Sequence, residues 1–241
     1  MLLGIVVCAV YLAGLIALQK ASGVPYVAIA ESEPNLRKGV LIPVAVMTAV
    51  LVAFLAATGR LADAFSFAPT VSAAWLWAIP VVILLGVVLR LVRNPWSQVN
   101  GRFVGVALLA TFLVGLSEEL LIRGYFVGAL QEAGLGLVWV GVVSSVVFGL
   151  LHGANILNGQ DAKTTVQQVV ASALMGLGLF ASLVLTGSLW LPIVLHFLFD
   201  LSLVVGGSVK KEGSAAAKDE AVLIIAMYVL SLASVVALVL A

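Results

Sequence analysis

Apolar residues run along this chain in long unbroken stretches, and the breaks between them carry most of its polar residues. Eight such runs can be marked: Leu2–Leu18, Gly39–Ala57, Ala73–Leu91, Phe103–Leu130, Leu135–Leu151, Val166–Leu185, Leu189–Val205 and Ala221–Leu240. A helix needs about 20 mainly apolar residues to cross a bilayer. The runs are continuous rather than alternating, which predicts helices and not a barrel. The fourth run is too long for one upright crossing, so span four is expected to tilt or to emerge into water at one end. No basic residue precedes the first run, which reads as a retained span rather than a signal peptide. Residues 1–241 thus read as a single integral membrane domain, all-α and polytopic, with about eight transmembrane helices.

Composition agrees and removes other classes. Hydrophobic residues make up 63% of the chain and charged residues 10%, against about 25% charged in an ordinary soluble domain. A soluble globular domain, a disordered chain and a nucleic-acid binder with a basic face are excluded. The single cysteine, Cys8, excludes an internal disulfide framework and a multi-cysteine zinc ribbon. The net charge of +1 implies no bulk electrostatic partner. The partner that composition does imply is the lipid bilayer.

Charge sets an expected orientation. Of the 12 Lys and Arg, all but Arg60 and Arg123 lie at or near the connections after spans one, three, five and seven: Lys20, Arg37, Lys38, Arg90, Arg93, Arg102, Lys163, Lys210, Lys211 and Lys218. The positive-inside rule then places the odd-numbered connections in the cytoplasm and, with eight spans, both termini outside. Gly206–Glu220, small and charged, reads as a flexible cytoplasmic connector. No organellar targeting segment is recognisable, so a prokaryotic cell membrane is the expected location of this multi-pass protein.

Ionisable residues inside spans carry the chemistry, because each costs roughly 2.5–3.5 kcal/mol at a helix centre. They form three groups: Ser117-Glu118-Glu119 with Arg123 in span four, Phe148 and His152 at the end of span five, and His196 and Asp200 in span seven. Both histidines of the chain are among them. Glu119 and Arg123 are four apart with the acid first, the favourable order for an ion pair on one helix face. That pairing leaves Glu118, about 100° round the helix, as the free carboxylate. His196 and Asp200 share a face, and Phe148 lies one turn before His152, where it can wall the imidazole. Pro192 is expected to kink span seven near the site. Gly124/Gly128 and Gly149/Gly153 read as packing seams. Ser117 lacks the second glycine of a rhomboid-like nucleophile segment and reads as a helix-facing hydroxyl. Neither His-Glu-x-x-His nor Gly-x-Gly-Asp occurs, so a site-two-type zinc site and a presenilin-like aspartyl pair have no support.

The order Glu118-Glu119-x-x-x-Arg123, Phe148-x-x-x-His152, His196-x-x-x-Asp200 resembles the CPBP family of intramembrane proteases, which includes the Ras-converting CAAX endopeptidase and bacteriocin-linked prokaryotic members. The resemblance implies an endopeptidase acting on a membrane-associated peptide or protein, with its site between spans four, five and seven. By that resemblance, Glu118 with His152 activates the attacking water. His196 and Asp200 stabilise the oxyanion or orient the substrate carbonyl, and Glu119, Arg123 and Phe148 support them. The CAAX-processing members typically carry Asn where this chain has Asp200. An ionised Asp cannot donate to an oxyanion, so here it must be protonated, orient His196, or act otherwise. Glu118 and the two histidines could also hold zinc with an open position. The resemblance favours a metal-free glutamic mechanism without a cofactor.

Three other readings compete. A purely structural polar network is disfavoured, because polar contacts between membrane helices average about 0.6 kcal/mol, less than the insertion cost. A non-catalytic scaffold or immunity protein of the same fold would be expected to have lost Glu118 or a histidine. A proton-coupled transporter lacks the internal repeats such folds use. Distances along the helices pose a problem of depth. Glu118 lies about 24 Å from Arg102, and His152 about 25 Å from the start of span five, which runs the other way. For them to meet, residues around Phe103–Leu109 must protrude toward the cytoplasm, and the cavity should open on that side.

Overall fold

Helices form where the apolar runs predict them. The computed structural model describes residues 1–68, 71, 74–208, and then 225, 228, 229 and 231–233. Seven helical stretches among the described residues are long and apolar enough to cross a membrane: Leu2–Ser22, Glu33–Ala57, Ala74–Arg93, Gly101–Glu132, Leu137–Asn158, Ala162–Thr186 and Trp190–Gly207. They coincide with the first seven predicted spans. The eighth, Ala221–Leu240, lies outside the described residues but for those few positions, as does the connector beyond Ser208. No strand occurs among the described residues, only an isolated bridge between Ser66 and Ser188. The chain is an all-α polytopic membrane protein.

The elements that matter for the site are α1 (Leu2–Ser22), α2 (Glu33–Leu36), α3 (Ile42–Ala57), α4 (Ala78–Arg93), α5 (Gly101–Glu119), α6 (Val127–Glu132), α7 (Leu137–Leu151), α8 (Ala162–Thr186) and α9 (Trp190–Gly207). Span four is α5 and α6 joined by a π-helical stretch, Leu120–Phe126. Its 32 residues would run about 48 Å at 1.5 Å per residue, well beyond about 30 Å of hydrocarbon. The long run therefore reads correctly as a helix that outlasts the bilayer. Its N-terminal part is not bare: Phe103 and Ala107 pack with Leu36, Leu201 and Val205 in a buried cluster.

Small residues set the helix spacing where no hydrophobic force acts between helices in lipid. A Cβ on Gly149 would lie 2.5 Å from the Val169 carbonyl oxygen of α8, and one on Gly115 would lie 3.0 Å from the Phe197 nitrogen of α9. These two close approaches bring α7 against α8 and α5 against α9 beside the polar residues. The predicted seams hold only in part, because a Cβ on Gly128 would meet open space. Pro192 corrects a second expectation. It is the third residue of α9, within the first turn, where backbone N–H groups lack intrahelical partners anyway. It starts the helix and removes no hydrogen bond from its interior.

Candidate active site

The polar residues of three spans converge. Glu118 Oε2 lies 4.0 Å from His152 Nε2 and 3.9 Å from His196 Nε2. On its far side, His196 Nδ1 donates to Glu119 Oε1 at 2.9 Å. The same oxygen accepts from Arg123 Nη1 at 2.9 Å, while Arg123 Nη2 donates to the Gly176 carbonyl at 3.0 Å. Both side chains of this Glu119–Arg123 pair are fully buried. Asp200 Oδ2 stands 3.5 Å from His196 Nε2. All the motif residues read from the sequence thus meet in one place.

Phe148 does more than wall one imidazole. Its ring meets His152 edge-on at 5.0 Å, His196 at 5.6 Å, and the Arg123 guanidinium at 4.4 Å. It is buried among all three and holds their relative positions. Gly176 has a matching role on α8: a Cβ there would lie 3.0 Å from Arg123 Nη2, so the close approach lets Arg123 reach the carbonyl. Ser117, as expected, is a buried helix-facing hydroxyl, and it accepts a hydrogen bond from Tyr11 at 2.9 Å. Tyr11 of α1 carries no motif and was invisible to pattern reading.

Hydrogen-bond accounting fixes the histidine tautomers. His152 Nδ1 is 3.0 Å from the Phe148 carbonyl oxygen, which can only accept, so Nδ1 carries the proton. His196 Nδ1 faces a carboxylate that also serves Arg123, so it too is the donor. Both Nε2 atoms therefore turn toward Glu118 as acceptors when the rings are neutral, and as donors when a ring is charged. Among the described residues, no group of three or more His, Cys, Asp or Glu is placed to hold a metal ion.

A cavity of about 540 Å³ reaches these groups, and Glu118, His152 and Asp200 line it. Leu12, Leu15 and Ile16 of α1 and Val44 of α3 form an apolar wall. Gln19, Tyr26, Asn155 and Thr164 line it as well, and they stand at the connections after spans one and five. The cavity thus extends toward the odd-numbered connections. At the opposite end, Phe67 N donates to Gly187 O, Val71 N to Val184 O and Leu189 N to Phe65 O. On that same end, Trp75, Trp77, Trp139 and Trp190 are 49%, 49%, 64% and 53% exposed, as an interfacial aromatic belt would be. Counted along their helices at 1.5 Å per residue, His196 lies about 9 Å and His152 about 20 Å from that belt. Both histidines thus lie within the lengths of their apolar spans.

Residues 100–202 match the family model described as type II CAAX prenyl endopeptidase, Rce1-like. That segment runs from the N-cap of α5 into α9, as far as Ser202, and holds every motif residue. No curated protein and no solved structure matches the chain at a significant level. The three motifs gather at one site inside that matched segment, which is similar to the type II CAAX prenyl endopeptidases of the Rce1-like family.

Proposed function

We propose that this protein is a glutamic-type intramembrane endopeptidase, and that Glu118, His152, His196 and Asp200 carry out its chemistry. The observation that carries the reading is the placement of Glu118 Oε2 at 3.9–4.0 Å from two imidazole Nε2 atoms. Such a gap exceeds a direct hydrogen bond, yet one water can bond to both sides at about 2.8 Å. Glu118 takes a proton from that water, and the hydroxide adds to the substrate carbonyl carbon. Charge then develops on the carbonyl oxygen, where a charged imidazole Nε2–H can donate. Glu118 returns its proton to the amide nitrogen, the C–N bond breaks, and a carboxylic acid and an amine leave.

His196 suits the oxyanion role. A positive ring there is balanced by Glu119 on Nδ1 and Asp200 near Nε2, and Arg123 keeps Glu119 in place. Asp200 then acts by orienting His196 and holding the proton on Nε2, a role that suits a carboxylate. No metal is required for this sequence of steps. The substrate is a membrane-associated peptide or protein, admitted through the cavity from the side of the odd-numbered connections. The positive-inside bias makes that side the cytoplasm, in a prokaryotic cell membrane. Arg123, one of the two cations outside the odd-numbered connections, is buried in the site, so Arg60 alone opposes the bias.

The test is proteomic and biochemical together. Membranes of cells carrying the wild type or Glu118→Gln should differ by an uncleaved membrane-associated peptide. The purified protein in liposomes should cleave that peptide, with and without a chelator. A cleavage unaffected by Glu118→Gln would overturn the assignment.

A further inference from the structure

One polar chain in the cavity takes no part in the chemistry above. Tyr26, Asn155 and Gln168 come from the connection after span one, the turn after α7, and α8, and all three line the same cavity as Glu118, His152 and Asp200. Asn155 Nδ2 donates to Gln168 Oε1 at 2.9 Å, and Gln168 Nε2 donates to the Tyr26 hydroxyl oxygen at 2.9 Å. Gln168 has thus committed both ends of its amide to fixing its neighbours. The Tyr26 hydroxyl proton and the Asn155 Oδ1 acceptor remain uncommitted, one donor and one acceptor.

Placement relative to His152 is set by local structure. Residues His152–Asn158 form a 3₁₀ helix, in which residues three apart eclipse one another. Asn155 therefore stands on the same side as His152, about 6 Å further along at 2.0 Å per residue. The connection that bears Tyr26 is itself pinned, because Asn35 Nδ2 donates to the Ala28 carbonyl at 3.0 Å. Burial, together with the charges of Asp200 and Glu118, holds the Tyr26 phenol above its ordinary titration range, so the hydroxyl stays a donor at neutral pH.

A peptide main chain offers one acceptor and one donor per residue. An extended chain advances about 3.3 Å per residue, so two residues cover the distance from His152 to Asn155. We propose that Tyr26 and Asn155, held by Gln168, clamp the substrate main chain about two residues from the scissile bond. Tyr26 donates to a substrate carbonyl and Asn155 Oδ1 accepts from a substrate N–H. This inference rests on the proteolytic reading and makes both side chains positioning residues that do not touch the reacting atoms. It also explains how the site can select an extended peptide segment without reading its side chains.

The experiment uses the full chain in liposomes and a fluorogenic peptide library anchored by a farnesylated cysteine, with an unprenylated twin library. The best-cleaved member is then resynthesised with single N-methylated amides. Wild-type cleavage that disappears in Glu118→Gln establishes the reaction, and no wild-type cleavage of either library overturns the proteolytic reading and the clamp with it. Given cleavage, Tyr26→Phe and Asn155→Ala should each raise KM roughly tenfold, the scale of one hydrogen bond, with kcat within about twofold. N-methylation at one amide near the scissile bond should raise KM about as much in the wild type and add nothing in Asn155→Ala. Unchanged KM in both variants, or N-methyl effects that multiply with Asn155→Ala at every amide, would overturn the clamp alone. Should Tyr26→Phe lose thermal stability, the N-methyl comparison in Asn155→Ala still decides.

Discussion

Two adjacent glutamates should fail in different ways. In Glu119→Gln the charge that faces Arg123 at 2.9 Å and His196 at 2.9 Å is removed. Breaking a buried pair by removing one partner costs about 3–5 kcal/mol. The lower end applies here, because Arg123 keeps its bond to the Gly176 carbonyl and its place over the Phe148 ring. A loss of about 3 kcal/mol corresponds to a fall in Tm of about 6–12 °C for a chain of this size. Activity falls as well, since His196 loses the carboxylate that orients it. Glu118→Gln is different. Its nearest ionic partners stand at 3.9 and 4.0 Å, beyond hydrogen-bond range, so Tm should move by no more than about 3 °C, the effect of under 1 kcal/mol. The chemical step should fall about 10²–10⁴-fold, the contribution of a general base. Thermal melts in detergent beside cleavage rates in liposomes read both quantities on the same preparations. A stable Glu119→Gln beside an unstable but active Glu118→Gln would refute the division of roles.

Four further outcomes are expected. Phe148→Leu removes its edge-on contacts with His152 and His196 and the cation–π partner of Arg123, and should cost about 1–2 kcal/mol while lowering kcat; a variant with unchanged kcat would deny Phe148 its positioning role. Gly149→Ala forces a Cβ toward the Val169 carbonyl and should destabilise by about 1–3 kcal/mol, whereas Gly128→Ala, in open space, should leave Tm nearly unmoved. Asp200→Asn and Asp200→Ala both remove the charge that holds the proton on His196 Nε2 at 3.5 Å and should each lower kcat by about tenfold or more; unchanged activity in Asp200→Asn would deny the charge its role. Pro192→Ala should shift stability by less than about 0.5 kcal/mol, because the first turn of α9 has no hydrogen bond for proline to break, and a large shift would reinstate a kink.

Much of the architecture could be read before any coordinates. Insertion into a bilayer is decided by local apolar length, so the spans up to Gly207 emerged from hydropathy alone, with ends displaced by a few residues where polar termini extend the helices. The ion pair of Glu119 and Arg123 was legible for the same reason: partners four apart on one helix meet whatever the rest of the fold does. The insertion cost of charged residues inside spans marked the three motifs as functional, and their order carried the resemblance to a protease family. Pro192 misled because its effect depends on where the helix begins, which the apolar run did not mark.

What only the tertiary structure decided is how distant segments share atoms. Periodicity along one helix cannot tell that Glu119 Oε1 serves both Arg123 and His196, or that Gly176 on α8 admits the guanidinium. Nor can it place Tyr11 on Ser117, or tie Tyr26 to Asn155 through Gln168, residues of ordinary polar character without a pattern. Sequence determines which residues enter the bilayer, because that choice is local and set by transfer free energy. Which of them meet depends on helix spacing and crossing, and therefore on small residues such as Gly115 and Gly149 whose partners lie far along the chain.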